Sequence, residues 1–285
     1  MLIIIILRLL IIEIFKNVLL NIKLMKHYLQ ILLIISIAIL VSCKHASVKL
    51  EKLEDNEGLM YYNNSPFTGS CSDYFTDGKL KAEMFYENGY LDGEYVSYFN
   101  NGNIESQGAY QHGNRTGEWK RYHETGEDYL KGEFKDGKKT GKWCYWYENG
   151  QKEFDGSWID DKQNGQWFSW YPNGQLHTEV YWKQGIQQGK EIKYYKNGNK
   201  RSEGFFENGK QSGKWLWYYE SGNIESEENW RDGIPFGVVI NYFESGQKKK
   251  EGNWENGKKH GSFKEWNEDG ELLKVEQFEN GNLIK

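Results

Sequence analysis

The chain of 285 residues is rich in Gly (32), Tyr (20) and Trp (12), has only 3 Pro and 3 Cys, and carries a formal net charge of −5. Aliphatic residues thin out after residue 60, so a conventional Leu/Ile/Val core is excluded and an array stabilised by stacking of neighbours is favoured. With no basic stripe, nucleic acid is excluded as a partner, and the cysteines show neither a disulfide framework nor a metal spacing.

The apolar run ILLIISIAILV (31–41) is too short to span a bilayer and has the length of a signal-peptide core. Lys26 and His27 precede it, and Leu40, Val41, Ser42 and Cys43 close it. This tetrad resembles the lipobox of bacterial lipoproteins, which implies cleavage before Cys43 and acylation of the Cys43 thiol and the new amine. Several acyl chains at roughly 0.8 kcal/mol per buried CH₂ make a stable anchor. An ordinary secretory signal or an uncleaved anchor helix are the alternatives. Residues 1–24 add a second apolar stretch broken by Arg8, Glu13 and Lys16, whereas a start at Met25 gives a well-proportioned signal. Loss of 1–42 removes Arg8, Lys16, Lys23, Lys26 and Glu13, four basic residues and one acidic, and takes the net charge from −5 to −8.

Residues 43–57 read as a short polar, lipidated tether. Residues 58–68 (GLMYYNNSPFT) read as a half-unit that caps a repeat array. From residue 69 to 285 the chain repeats every 24 residues. The glycine taken as position 0 recurs at Gly69, Gly93, Gly117, Gly141, Gly165, Gly189, Gly213, Gly237 and Gly261. A second glycine stands at position 9 throughout, and a third at position 20, where Asp161 is the one exception. Asn-Gly or Asp-Gly between short aromatic runs signals a two-residue hairpin turn, so each unit is predicted to hold two type I′ turns, at positions 8–9 and 19–20. The intervening seven- or eight-residue segments read as strands. The fold class is therefore all-β: an elongated antiparallel meander of nine hairpins, about eighteen strands.

The first turn sets a register in which position 2 faces 15 and position 6 faces 11. Position 2 is Trp in four units (Trp119, Trp143, Trp167, Trp215), and position 15 is Gly132, Gly156 and Gly204 in several of the same units, which suits an indole laid across a glycine. Position 17 is aromatic in all nine, from Tyr86 to Phe278, and by parity shares that face; these rings should form a ladder. Tyr62 is in phase with them. Position 5 is aromatic in every unit and falls on the opposite face.

The segments GKWCYWYENG (141–150) and KGEFKDGKKTG (131–141) resemble the MORN repeat and its bacterial variant, over 58–285. Among bacterial chains the resemblance extends to repeat proteins labelled as YwqK-type antitoxin components of toxin–antitoxin systems. The resemblance implies a twisted β-meander that binds proteins or lipids and brings no catalytic residues with it. A lipoprotein signal conflicts with a cytoplasmic antitoxin.

His112, His123, His177 and His260 occupy different repeat phases, so no metal-ligand spacing recurs. Acidic pairs such as Asp160-Asp161 and Glu227-Glu228 lack a nucleophile beside them and read as solvated strand or turn residues. Neither catalytic residues nor a cofactor are expected. The candidate binding face is the strip of position-5 and position-6 rings: Trp146, Tyr147, Trp170, Tyr171, Tyr194, Tyr195, Tyr218 and Tyr219. Departures from consensus, notably Glu191 at position 2 and Pro235-Phe236 beside a turn, are further candidates or drift. The function expected is a membrane-anchored, extracytoplasmic, non-enzymatic scaffold for another envelope or surface protein. A glycan- or cell-wall-binding module and a partner-neutralising antitoxin are the alternatives.

Overall fold

The computed structural model describes residues 47–284. The signal segment 1–42, the start at Met25 and the lipid attachment at Cys43 lie outside the described residues. Among those described, the only helical segment is the short 3-10 turn Leu50–Lys52, and no helix is long and apolar enough to cross a membrane.

The nine hairpins are present and in the expected order, the first built from Gly69–Tyr74 and Leu80–Glu87, the last from Gly261–Trp266 and Leu272–Glu279. Each strand pairs antiparallel with its neighbours in sequence, in one continuous meander. The expected pairing of position 2 with 15 holds: Trp143 faces Gly156, Trp167 faces Val180 and Trp215 faces Glu228.

The two turns of a unit differ. The turn at positions 19–20 is the two-residue kind, with positive φ at both centres, as at Asp136 (φ 50) and Gly137 (φ 78). Asp161 keeps this geometry at φ 62 without being glycine, and its amide still donates to the Lys139 carbonyl. The turn at positions 8–9 is longer. Tyr147 N–H donates to the Gln151 carbonyl and Gly150 N–H to the Tyr147 carbonyl, while only the glycine has positive φ. This is a three-residue loop with a glycine bulge. The pairing shifts as it leaves the loop, so Trp146 faces Lys152 and the predicted pairing of position 6 with 11 does not form. A second irregularity lies between units. Glu133 faces Thr140 and Lys131 faces Cys144, so the strand carrying Gly141 (φ 63) has two residues in excess at that point.

The front of the sheet is capped. Glu54–Asn56, Leu59–Tyr62 and Ser65–Pro66 form a small three-stranded sheet, and Val48–Lys49 pairs in parallel with Gly69–Tyr74. Residues 43–57 read as a tether, but from Val48 onward they are laid against the array. The reason is apolar: Val48, Leu50 and Leu53 pack on a cluster of Phe67, Cys71, Ala82, Met84 and Tyr86. Tyr62, in phase as expected, meets Phe67 edge-on at 6.1 Å. At the other end Asn282–Leu283 pairs only with Phe278 and Glu279. The outer side of Leu272–Glu279 ahead of that stub has no strand partner among the described residues, which leaves an open edge there.

Candidate functional site

One face of the sheet is a ladder of rings, and glycine makes room for it. A Cβ on Gly132 would stand 2.1 Å from Trp143, one on Gly156 2.1 Å from Trp167, and one on Gly204 2.2 Å from Trp215. Each indole thus lies on the position-15 glycine of the preceding unit, reached by way of the bulge, while its backbone faces position 15 of its own unit. The sequence complies along the array. Gly108, Gly132, Gly156, Gly204 and Gly252 are followed by Trp119, Trp143, Trp167, Trp215 and Phe263; Met84, Val180 and Glu228 are followed by Tyr95, Glu191 and Val239. The four indoles are buried to 7% exposure or less. Trp119, Trp167 and Trp215 donate their Nε1–H to carbonyls of the preceding unit, at Ala109, Ser157 and Phe205. Position-17 rings meet them edge-on: Phe134 on Trp143 at 5.0 Å, Trp158 on Trp167 at 5.3 Å, Phe206 on Trp215 at 5.3 Å.

The opposite face works by polar bonds. Tyr194, Tyr218 and Tyr242 at position 5 donate their hydroxyls to Glu179, Glu203 and Glu227 in the preceding unit. Lysines join the carboxylates, as Lys190 at 2.8 Å and Lys200 at 3.0 Å do for Glu203. Burial opposes the charge on Glu203, but hydrogen bonds from Lys190, Tyr218 and Lys200 outweigh it and hold the carboxyl at about 2. Burial first, and then the bond to Glu203, raises the Tyr218 hydroxyl well above the usual phenol range.

All eight residues of the candidate strip are half-buried. Much of their polar capacity is used between units. Tyr147, Tyr171, Tyr195 and Tyr219 donate to the carbonyls of Trp170, Tyr194, Tyr218 and Tyr242 in the following unit. His123 makes the same bond to Trp146. Beside them, Asn149, Asn173 and Asn197 donate to the next loop at Pro172, Lys196 and Glu220. The Trp170 ring lies under Lys152 Nζ at 5.6 Å.

Other candidates resolve locally. His112 sits in a two-residue turn 3.3 Å from Asp92, and His260 lies 3.6 Å from Glu255. Asp160 and Asp161 are the centres of a turn. Glu227 pairs with Lys214, while Glu228 accepts from Trp230. Among the described residues no cluster of three or more such side chains could hold a metal ion.

The ring ladder opens in the fifth unit. There Tyr145, Phe154, Trp158, Trp167, Val180 and Trp182 line an open cleft of about 590 Å³, with Glu153, Gln163, Ser169, His177 and Thr178 as its polar groups. His177 lies against Tyr171 at 4.4 Å with the ring planes tilted by 41°, and burial, with Arg201 and Lys193 nearby, disfavours its charged form. Sequence reasoning did not single out this cleft. Its signal is the pair of departures that open it, Val180 where glycine is the rule and Glu191 where an aromatic is.

A family model for the MORN repeat variant matches residues 67–88, 91–112, 139–160, 163–184, 187–208, 211–232, 237–256 and 259–280. The hairpin at 113–138, between the second and third matches, has the same strands, Asn114–Tyr122 and Asp128–Lys135. No curated protein matches the chain. Among solved structures, a TcdB2–TccC3–Cdc42 complex is 12% identical, with 73% of this chain and 13% of that chain covered and a TM-score of 0.19. A TcdB2–TccC3 structure is 11% identical, with 79% and 16% covered and a TM-score of 0.19. The chain thus spans less than a fifth of either.

Proposed function

Since this chain belongs to the MORN repeat variant family, non-catalytic repeat scaffolds, we propose that it is a membrane-anchored scaffold that holds another envelope or surface protein against its sheet. The observation that carries this reading is the exposure of large rings on a single-layer sheet. On the face of the tyrosine–carboxylate bonds, position 16 leaves Phe85, Tyr181 and Phe205 exposed at 38%, 40% and 51%. Phe205 lies opposite Lys190 and Tyr181 opposite Gln166, so apolar and polar contacts alternate as they do at protein interfaces. At about 4.8 Å per strand, eighteen strands present on the order of 85 Å of such surface before twist. Lipidation at Cys43 would place that surface outside the cytoplasm.

Crosslinking in membranes tests the proposal. A stoichiometric protein partner is expected, recovered less well with Phe205→Lys and lost from the membrane fraction with Cys43→Ala. Recovery of no partner would sink it. A glycan is the second reading, favoured by the indoles and hydroxyls of the cleft in the fifth unit. Tryptophan emission that stays unchanged on titration with peptidoglycan fragments removes that alternative.

A further inference from the structure

The ring ladder carries lids of its own. The Arg115 guanidinium lies 4.8 Å from the Trp119 ring centre and 5.3 Å from that of Phe134. Lys139 Nζ lies 4.6 and 4.8 Å from Trp143 and Trp158, and Lys259 Nζ 5.0 and 4.7 Å from Phe263 and Phe278. All three cations stand at position 22, four residues before the position-2 ring they cover, and the second ring is at position 17 of that next unit. A cation over a ring face is attracted by the negative quadrupole of that face. Partial burial against the rings lowers the affinity of Lys139 for its proton.

Position 22 ahead of the fifth unit is Gln163. Among the described residues no lysine or arginine stands over Trp167 or Trp182, the rings that Gln163 would cover. Cover from the following unit is missing as well, because Val180 takes the place of the glycine and Glu191 that of the indole. The two absences coincide again in the seventh unit, where Gln211, Glu228 and Val239 hold these positions and Glu228 accepts from Trp230, but the cleft of about 590 Å³ lies at the fifth. Its lining includes the Glu153 carboxylate and neither lysine nor arginine. Trp158, also in the lining, has a buried Nε1–H with no hydrogen-bond partner.

We propose that this cleft takes a lysine or arginine side chain of a partner protein, seated over Trp167 and Trp182 as Lys139 is over Trp143 and Trp158. The acidic balance of the chain, −5 overall, suits a basic segment. The proposal rests on the scaffold reading and adds to it a contact on the ring-ladder face, opposite the face that exposes Phe205. A sugar ring would use the indoles but has no need of a vacant cation position.

Calorimetric titration of the full chain with triarginine, and with uncharged tricitrulline, tests it. Saturable binding of triarginine and none of tricitrulline is expected. Gln163→Lys supplies the missing lid and should weaken triarginine at least tenfold while the melting temperature holds or rises. Gln247→Lys adds the same charge on an exposed loop of the eighth unit and should change affinity less than twofold. Should Gln163→Lys fail to fold, Trp182→Leu carries the same expectation of tenfold loss. Equal binding of triarginine by wild type and Gln163→Lys, or equal binding of tricitrulline, overturns the proposal. So does saturation by choline chloride with no response to triarginine, which would assign the cleft to a small quaternary ammonium. Failure here leaves the crosslinking result standing, because that experiment reads protein partners and not peptide affinity.

Discussion

Whether position 15 carries a hydrogen or a methyl decides whether an indole from the next unit can lie down. Gly156 illustrates it, since an added Cβ would come within 2.1 Å of a Trp167 ring that is only 7% exposed. Overpacking of this kind costs about 3 kcal/mol, so Gly156→Val should lower the stability measured in urea by about that amount. Adding Trp167→Val imitates the Glu228 and Val239 combination, and the double variant should be at least ~1 kcal/mol more stable than the sum of the single losses, since the two sites share one space. Strict additivity would contradict the fit. Glu203 sets a second residue-scale expectation. Its carboxyl is held at about 2, below its ordinary 4.5, so its contribution is present above pH 4.5 and is lost as pH falls toward 2. The melting temperature should drop across that window, and Glu203→Gln should flatten the drop. An unchanged acid profile in that variant would refute the assignment.

At the scale of the hairpin, the longer turn joins units as well as closing them. Tyr195 is the measure of this, with its hydroxyl 2.7 Å from the Tyr218 carbonyl of the next unit. Tyr195→Phe removes the donor and leaves the ring, so a loss of about 1 kcal/mol is expected from thermal melting. A ring reserved for a ligand would show no such loss. The two-residue turns were legible in the sequence because Asn-Gly and Asp-Gly need positive φ at both centres. The longer turns carry Asn-Gly as well, as at Asn149 and Gly150, yet only Gly150 takes positive φ. The asparagine there is used differently, its amide donating to Pro172 in the next loop. A dipeptide does not report which of these roles its asparagine plays.

In the whole array each unit is held mainly by its neighbours, so local stability should follow local burial. The buried clusters lie at the capped end, around Phe67, Cys71 and Met84, and around Trp119, Phe134 and Trp143. Toward the other end Leu272 and Leu273 are 53% and 63% exposed. Hydrogen exchange should therefore be slowest in Asp128–Lys135 and Lys138–Trp146 and fastest in Leu272–Glu279. Uniform protection along the sheet would contradict this.

The sequence by itself determined the period, the nine hairpins, the antiparallel order and the face shared by positions 2, 15 and 17. All of these follow from glycine spacing and the alternation of side chains in strands, which are local properties. Only the tertiary structure decided which glycine each indole covers, because the bulge at Gly141 and its equivalents shifts the ring back onto the preceding unit. It also decided that Val48, Leu50 and Leu53 belong to the cap, since three scattered aliphatics in a charged stretch find their value only against Phe67 and Cys71. The position-5 and position-6 rings, legible as a stripe, are drawn into bonds between units by neighbours 15 and 23 residues away in the chain. The cleft in the fifth unit needed the same long reach. Val180 and Glu191 look like separate substitutions until the register brings them face to face, Val180 opposite Glu191 across adjoining strands.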